Sequence, residues 1–362
     1  MRLNTSPLLC ALIGFTSLAA MSNATSNDYP SFSYSGNVRL NYDQFDGLFL
    51  EASEEADDIF EVNRVRLSLR SDLSSDWSAK LKFDVQDGFE LKDAYLKYTA
   101  WDWANITIGK QKEPFGLEKL MSSKNLSFIE RSMMSGAISP SRTYGVNLSG
   151  TQDSVNWQLG YFQDDNAEKG NAVTGRLTWA PWYINRNLIH LGAAYSQRSL
   201  HGESYRINET LEVNGSDSLI EGDKISADSM TQSGIEFMWQ YNGLVNMAEW
   251  QQSNVSAVDG SEYSYEGGYY QVSYLFSGKN RKYKNGMLGN VKTQNDWEVS
   301  LRYSQLKLHQ ENSQAKVLSL GVNYLFDNDL KFMANFRNAD YLDEGIDLGS
   351  GNALSLRVIY QF

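Results

Sequence analysis

The stretch "EVNRVRLSLRSDL", residues 61–73, sets Arg64, Arg66 and Arg70 in alternation with Val65, Leu67 and Leu69. A repeat of two is the period of a β-strand, whose successive side chains point to opposite faces. The unit recurs along the chain. "WSAKLKFDV" aligns Trp77, Ala79, Leu81, Phe83 and Val85, and "WEVSLRY" aligns Trp297, Val299, Leu301 and Tyr303. Sixteen strands are predicted, over 31–44, 59–71, 76–87, 90–99, 104–111, 143–150, 154–163, 172–180, 187–197, 231–241, 244–254, 265–277, 296–308, 316–326, 329–339 and 352–362.

An even number of strands about ten residues long constrains the fold sharply. Ten residues at roughly 3.3 Å each, tilted by about 40°, rise about 25 Å, the height of the apolar band that membrane barrels show to lipid. Strands of soluble sandwiches are usually nearer five or six residues. The expected fold is all-β: a transmembrane antiparallel β-barrel of about 16 strands. Aromatic residues at 13% and only five prolines suit such a chain.

The connections alternate in length. "SDLSSD", "TQD", "YNG" and "DND" read as short turns, and 45–58, 112–142, 198–230 and 340–351 as long loops on the other side. One connection breaks the parity. Residues 278–295, "GKNRKYKNGMLGNVKTQN", are long and basic where a short turn is due. Either that turn is elaborated or the strand count is wrong.

Residues 1–24 read as a secretory signal. Arg2 is basic, and Leu8 to Ala20 is apolar but too short to span a bilayer as a helix. Cleavage is expected after Ala24, or after Ala20, leaving 25–362 as one barrel domain. Cys10, the single cysteine, lies in that leader, so no disulfide framework is expected. The chain end "LSLRVIYQF" places Leu354, Leu356, Val358, Tyr360 and Phe362 on one face. Tyr360 and Phe362, at the third-last and last positions, resemble the insertion signal of bacterial outer-membrane proteins, read by the outer-membrane assembly machinery. Trp101, Trp103, Trp179, Trp182 and Tyr183 fall near the short turns, as an interfacial aromatic belt would.

In lipid the barrel exterior is apolar and the lumen polar, and an arginine facing the bilayer midplane costs roughly 2–4 kcal/mol. Arg64, Arg66 and Arg70 are therefore expected inside, with Arg39 on the strand before and Lys80 and Lys82 on the strand after. Planar guanidinium groups donate in pairs to phosphate and carboxylate. The alternative is that these cations neutralise Glu61, Asp84 and Asp93 across the wall. Net charge is −12, which disfavours a nucleic-acid partner. The acids cluster in "EASEEADD" (51–58) and in 198–230, both read as outer loops.

Residues 109–149 do not alternate, and Pro114 and Gly116 break the strand. Here the chain resembles a known family. "GKQKEPFGLE…SSKNLSFIER", followed by "RTYGVNLSG", resembles the phosphate-selective porins of the O and P type. "GGYYQVSYLFSGKNRKY" at 267–283, "WEVSLRYSQL" at 297–306 and "LGVNYLFDNDLKFMANF" at 320–336 fit it too. The resemblance implies a sixteen-stranded outer-membrane channel set in outer-membrane lipid, trimeric, passing small anionic solutes, with the third outer loop folded inward. On that loop it points to Lys119, Lys124, Glu130, Arg131 and Arg142. Glu130 and Arg131 also read as an internal ion pair that fixes the loop, and Lys119 and Lys124 face either lumen or solvent.

Nothing in the sequence asks for a cofactor. His190, His201 and His309 show no metal-ligand spacing, and no nucleophile elbow or phosphate-binding loop occurs. An outer-membrane hydrolase is the reading from another class, and no enzyme is expected. A general small-solute porin without phosphate selectivity, and a receptor or adhesin acting through its loops, are the alternatives within the fold.

Overall fold

The computed structural model describes residues 29–51, 57–86, 88–163, 170–216 and 218–362. The expected leader, most of the first acidic loop and Asp217 lie outside the described residues. Sixteen antiparallel strands close into one barrel. They are β1 (Ser31–Gly47), β2 (Asp58–Asp72), β3 (Trp77–Asp84), β4 (Glu90–Tyr98), β5 (Asn105–Lys112), β6 (Arg142–Gln152), β7 (Val155–Gln163) and β8 (Asn171–Ile184), then β9 (Asn187–Tyr205), β10 (Ile225–Tyr241), β11 (Leu244–Ala257), β12 (Glu262–Leu275), β13 (Asp296–Leu308), β14 (Ser313–Leu325), β15 (Leu330–Asp343) and β16 (Ile346–Gln361). Every expected strand is present. No described helix is long and apolar enough to cross a membrane.

Alternation sorts the two faces. On β13, Trp297, Leu301 and Tyr303 are about half exposed, while Glu298, Ser300, Arg302 and Ser304 on the opposite face are buried. The apolar set meets lipid and the polar set meets the lumen, as a membrane barrel requires. At the turn end, aromatic rings form a girdle. Trp101 stacks on Trp103 and Trp103 on Trp157, with centroids 5.8 and 6.3 Å apart, and Trp182 stacks on Tyr241.

Closure joins β1 to β16. Val38 pairs with Tyr360 and Arg39 with Ile359. Phe362 and Gly36 exchange both backbone hydrogen bonds, at 2.8 and 3.2 Å. The Phe362 ring lies over Gly36, where a Cβ would come within 2.4 Å of Cζ.

Three sequence readings change. The 340–351 segment is not a long loop: β15 and β16 continue to Asp343 and Ile346, joined by Glu344 and Gly345, both at positive φ. A two-residue turn of that kind matches the twist of the strands it joins. The alternation was hidden because these residues lie beyond the lipid band, where neither face has to be apolar. The 198–230 segment is shortened as a loop from both ends, with β9 running to Tyr205 and β10 starting at Ile225. Its remaining loop, 206–224, is not an acidic surface loop. It folds into the barrel and buries Ile207, Leu211, Val213, Glu212 and Ile220.

The parity problem at 278–295 is resolved in favour of an elaborated turn. Tyr283–Lys284 pairs with Met287–Leu288 in a small hairpin that enters the lumen from the turn end. Gly286 accepts a hydrogen bond from Arg176 at 2.8 Å, Tyr283 bonds His190 at 2.7 Å, and Arg281 pairs with Glu298.

Candidate ion passage

The third outer loop, between β5 and β6, crosses the lumen. A one-turn helix α1 (Leu48–Glu51) follows β1, and the third loop carries α2 (Leu117–Leu120), a short 3-10 turn (Ser123–Asn125) and α3 (Met133–Ala137). Pro114 and Gly116 end the strand, and Gly116 takes φ +72° at the start of α2. The wall holds the loop through its backbone. Glu249 of β11 accepts from the N–H groups of Leu117 and Glu118, both at 2.7 Å. Asn335 accepts from Ile129 N–H at 2.7 Å, and Asn323 and Lys331 donate to the carbonyls of Ser127 and Leu126. Unpaired backbone groups inside a barrel would be costly, so each bond fixes the loop's path.

Arg302 gathers two loops at one point. Its guanidinium pairs with Glu118 of the third loop at 3.2 Å and with Glu212 of the 206–224 loop. Glu118 also accepts from Ser132 and Ser135. Around this knot Leu117, Met133, Met134, Leu211 and Val213 pack against Leu306 and Leu308. Burial of side chains of this size contributes about 1.5–3 kcal/mol each. The β10–β16 side of the lumen is thereby filled.

An open cavity of about 1650 Å³ remains against β1–β7. Its other walls are the third loop and the inward hairpin of 283–288. Among the described residues, its lining contains fifteen lysines and arginines and three aspartates. All six wall cations singled out in the sequence, Arg39, Arg64, Arg66, Arg70, Lys80 and Lys82, face it, as do Lys119, Lys124, Arg131 and Arg142.

The carboxylates are outnumbered where they meet these cations. Asp84 serves both Arg66 at 2.5 Å and Arg64 at 3.4 Å. Asp93 serves Lys80, Lys82 and Arg142, at 3.2, 3.1 and 2.5 Å. Arg39 and Arg64, cross-strand partners, both donate to Ser123 of the loop, at 2.8 and 3.3 Å. Among the described residues, Lys97, Lys124, Lys282 and Lys284 have no ion-pair partner within 4.0 Å. Charge balancing across the wall is present and incomplete.

One expectation for the loop needs correction. Glu130 does not pair with Arg131. It pairs with Arg357 of β16 at 2.7 Å, while Arg131 donates to the carbonyls of Glu118 and Met121 at 3.0 and 2.9 Å. Neighbouring side chains on a non-helical segment diverge, so each finds a partner elsewhere. Of the two orientations left open for Lys119 and Lys124, both side chains take the one that faces the cavity. Burial pushes Lys119 down to about 8.

The sequence reading missed Arg281, Lys282 and Lys284 of the inward-bending connection, and Lys97, Lys112 and Ser123 of the lining. The basic run at 278–295 was visible, but nothing local says that a turn bends inward. Arg302 and Arg357 sit in the polar phase of "WEVSLRY" and "LSLRVIY", which was signal enough to place them in the lumen.

Residues 32–362 match the family model for phosphate-selective porin O and P. The chain belongs to that family. It is 24% identical to Porin O of Pseudomonas aeruginosa, over 93% of this chain and 90% of that one. Among solved structures it is similar to the anion-selective porin of Comamonas acidovorans, at 12% identity and TM-score 0.62, covering 92% of this chain and all of that one. A trimer form of OmpT from Vibrio cholerae superposes with TM-score 0.61 at 12% identity, again over 92% of this chain and 100% of that chain. At such identities the structural likeness is one of fold. Family and fold make this porin a bacterial outer-membrane protein, with its short turns on the periplasmic side and its long loops outside. The family is one of channels rather than enzymes.

Proposed function

We propose that this porin passes small anions, phosphate among them, by passive diffusion along the β1–β7 side of its lumen. The observation that carries the reading is the excess of lining cations over carboxylates, with Asp84 shared by two and Asp93 by three. An excess of one sign in a narrow, low-dielectric passage raises the local concentration of counter-ions. Arg39 and Arg64 meet at Ser123 of the third loop, and Lys119, Lys124 and Arg131 supply donors from the loop itself. Phosphate suits this lining because several lysines and paired guanidinium forks can share one dense charge. Glu130 has a structural part, holding the loop to β16. Tyr360 and Phe362 act as the insertion signal. The 25–362 chain follows a cleaved leader and works as a homotrimer in outer-membrane lipid, as the trimeric OmpT form supports.

Reversal potentials of the purified protein in a KCl gradient test the reading. Anion preference, with chloride current reduced by added phosphate, is expected. Cation preference overturns it. Anion preference without phosphate block reduces it to a general anion porin.

A further inference from the structure

A second, smaller cavity of about 430 Å³ lies at the loop end, beneath the β3–β4 connection. It is bounded by Glu61, Asp84 and Glu90, with Asn63, Gln86 and Asn214 among its other walls. Among the described residues, Arg64 is its single cation and the one residue that lines both cavities. The sign of the lining thus reverses at Arg64. Toward the outside, among the described residues, three carboxylates and one cation line the cavity; Glu90 also pairs with Lys92 of the basic chamber and Asp84 with Arg64 and Arg66, while Glu61 is held by asparagines alone. Toward the periplasm, fifteen cations face three carboxylates.

The acidic mouth is held in place by its own contacts. Glu61 accepts from Asn63 at 3.1 Å and from Asn214 of the inward-folded 206–224 loop. Asn63 in turn accepts from Arg357 at 3.0 Å. The junction is the Arg64–Asp84 pair at 3.4 Å. A passage with fixed charge of opposite sign at its two ends holds mainly cations in one part and mainly anions in the other. When the outer side is positive, anions leave the basic chamber and cations leave the acidic mouth toward the same junction, and ions accumulate there. The opposite polarity sweeps both away from it and depletes the passage.

We propose that this porin is a rectifying channel, its current larger with the loop side positive, because an acidic outer mouth at Glu61 and Glu90 adjoins a basic inner chamber at Arg64. The proposal rests on the reading of this lumen as an ion passage.

Single-channel current–voltage curves in planar bilayers provide the test. The inserted orientation is set by a Gln86→Cys variant, whose mouth an impermeant thiol reagent reaches from one side only. The expected ratio of currents at opposite polarity is about two at ~0.1 M KCl, where the Debye length is ~10 Å, and falls toward one at ~1 M, where it is ~3 Å. The double variant Glu61→Gln, Glu90→Gln is expected to remove most of the asymmetry while keeping the hydrogen-bonding shape of the mouth. A symmetric curve at low salt overturns the proposal. Asymmetry unchanged in the double variant also overturns it, since the basic chamber alone would then be the source. A folded preparation that conducts nothing at either polarity removes the passage reading itself, a result distinct from a symmetric conducting channel.

Discussion

The guanidinium of Arg357, on the last strand, meets the carboxylate of Glu130, on the third outer loop, at 2.7 Å. The same guanidinium donates to the carbonyl of Ile129 at 2.7 Å and to Asn41 of β1 at 2.7 Å. One side chain thus joins barrel closure to the position of the loop. Removing one partner of a buried pair costs about 3–5 kcal/mol, and here the low end applies because Glu130 is a third exposed. Arg357→Gln is expected to leave the strand ladder closed but free the loop. Single-channel records should show larger, noisier conductance with a barrel that still resists detergent unfolding. Wild-type conductance and noise would mean that Asn335, Asn323 and Glu249 hold the loop alone.

Asp93 stands against Lys80, Lys82 and Arg142 together. Asp93→Asn keeps the size of the side chain and releases three positive charges into the lining. Reversal potentials should move toward stronger anion preference, most clearly at low salt where screening is weak. A shift toward cations would show that the three cations stay put only while Asp93 is ionised.

The triple change Arg64→Gln, Arg66→Gln, Arg70→Gln has the opposite sign. It removes three lumenal cations and leaves Asp84 without partners, since Arg64 and Arg66 are its two. Anion preference should fall markedly while outer-membrane assembly is unchanged, because lumen substitutions tune selectivity. An unchanged reversal potential would show these arginines to be a charge-balanced wall.

These residues also mark how far the sequence could be read. Strand alternation placed Arg64 and Lys80 in the lumen because lipid permits one answer for each face. Even β13 and β16, whose arginines the sequence reading passed over, obey it. The filling of the lumen was not legible. Glu212 lies in a polar loop whose composition resembles any outer loop, and its burial depends on meeting Arg302, ninety positions along the chain. The connection that carries the 283–288 hairpin is similar: Arg176 and His190 hold the hairpin, Gln240 holds Arg281 just before it, and the three come from separate strands. Local period reports which face a side chain takes. It says nothing of what a long connection finds across a barrel.

At the closure, Phe362 and Gly36 share two backbone hydrogen bonds, and the ring occupies the space a Cβ would need. Gly36→Val should therefore displace the terminal ring, and loss of Phe362 should remove the same contact from the other side. Both are expected to lower the yield of folded barrel in the outer membrane several-fold, read as the fraction that keeps the compact, unheated mobility on a gel. Normal yield of Gly36→Val with poor yield of the truncated chain would separate recognition of Phe362 from its packing.

Two loop groups give the passage a pH dependence. Burial pushes Lys119 down to about 8, and the neighbouring Arg131 lowers it further. Burial pushes Glu209, which lies beside Gly136 of α3, up to about 7. As pH rises from about 6, Glu209 gains a negative charge, and through about 8 Lys119 loses a positive one. Both changes make the interior more negative, so anion preference should decline between about pH 6 and pH 9. Lys119→Arg, which stays charged, should abolish the upper part of the decline and leave the lower part, whereas Glu209→Gln should do the reverse. Reversal potentials in a KCl gradient across this pH range would show it, and a flat profile in the wild type would mean that neither group titrates in view of the passing ions.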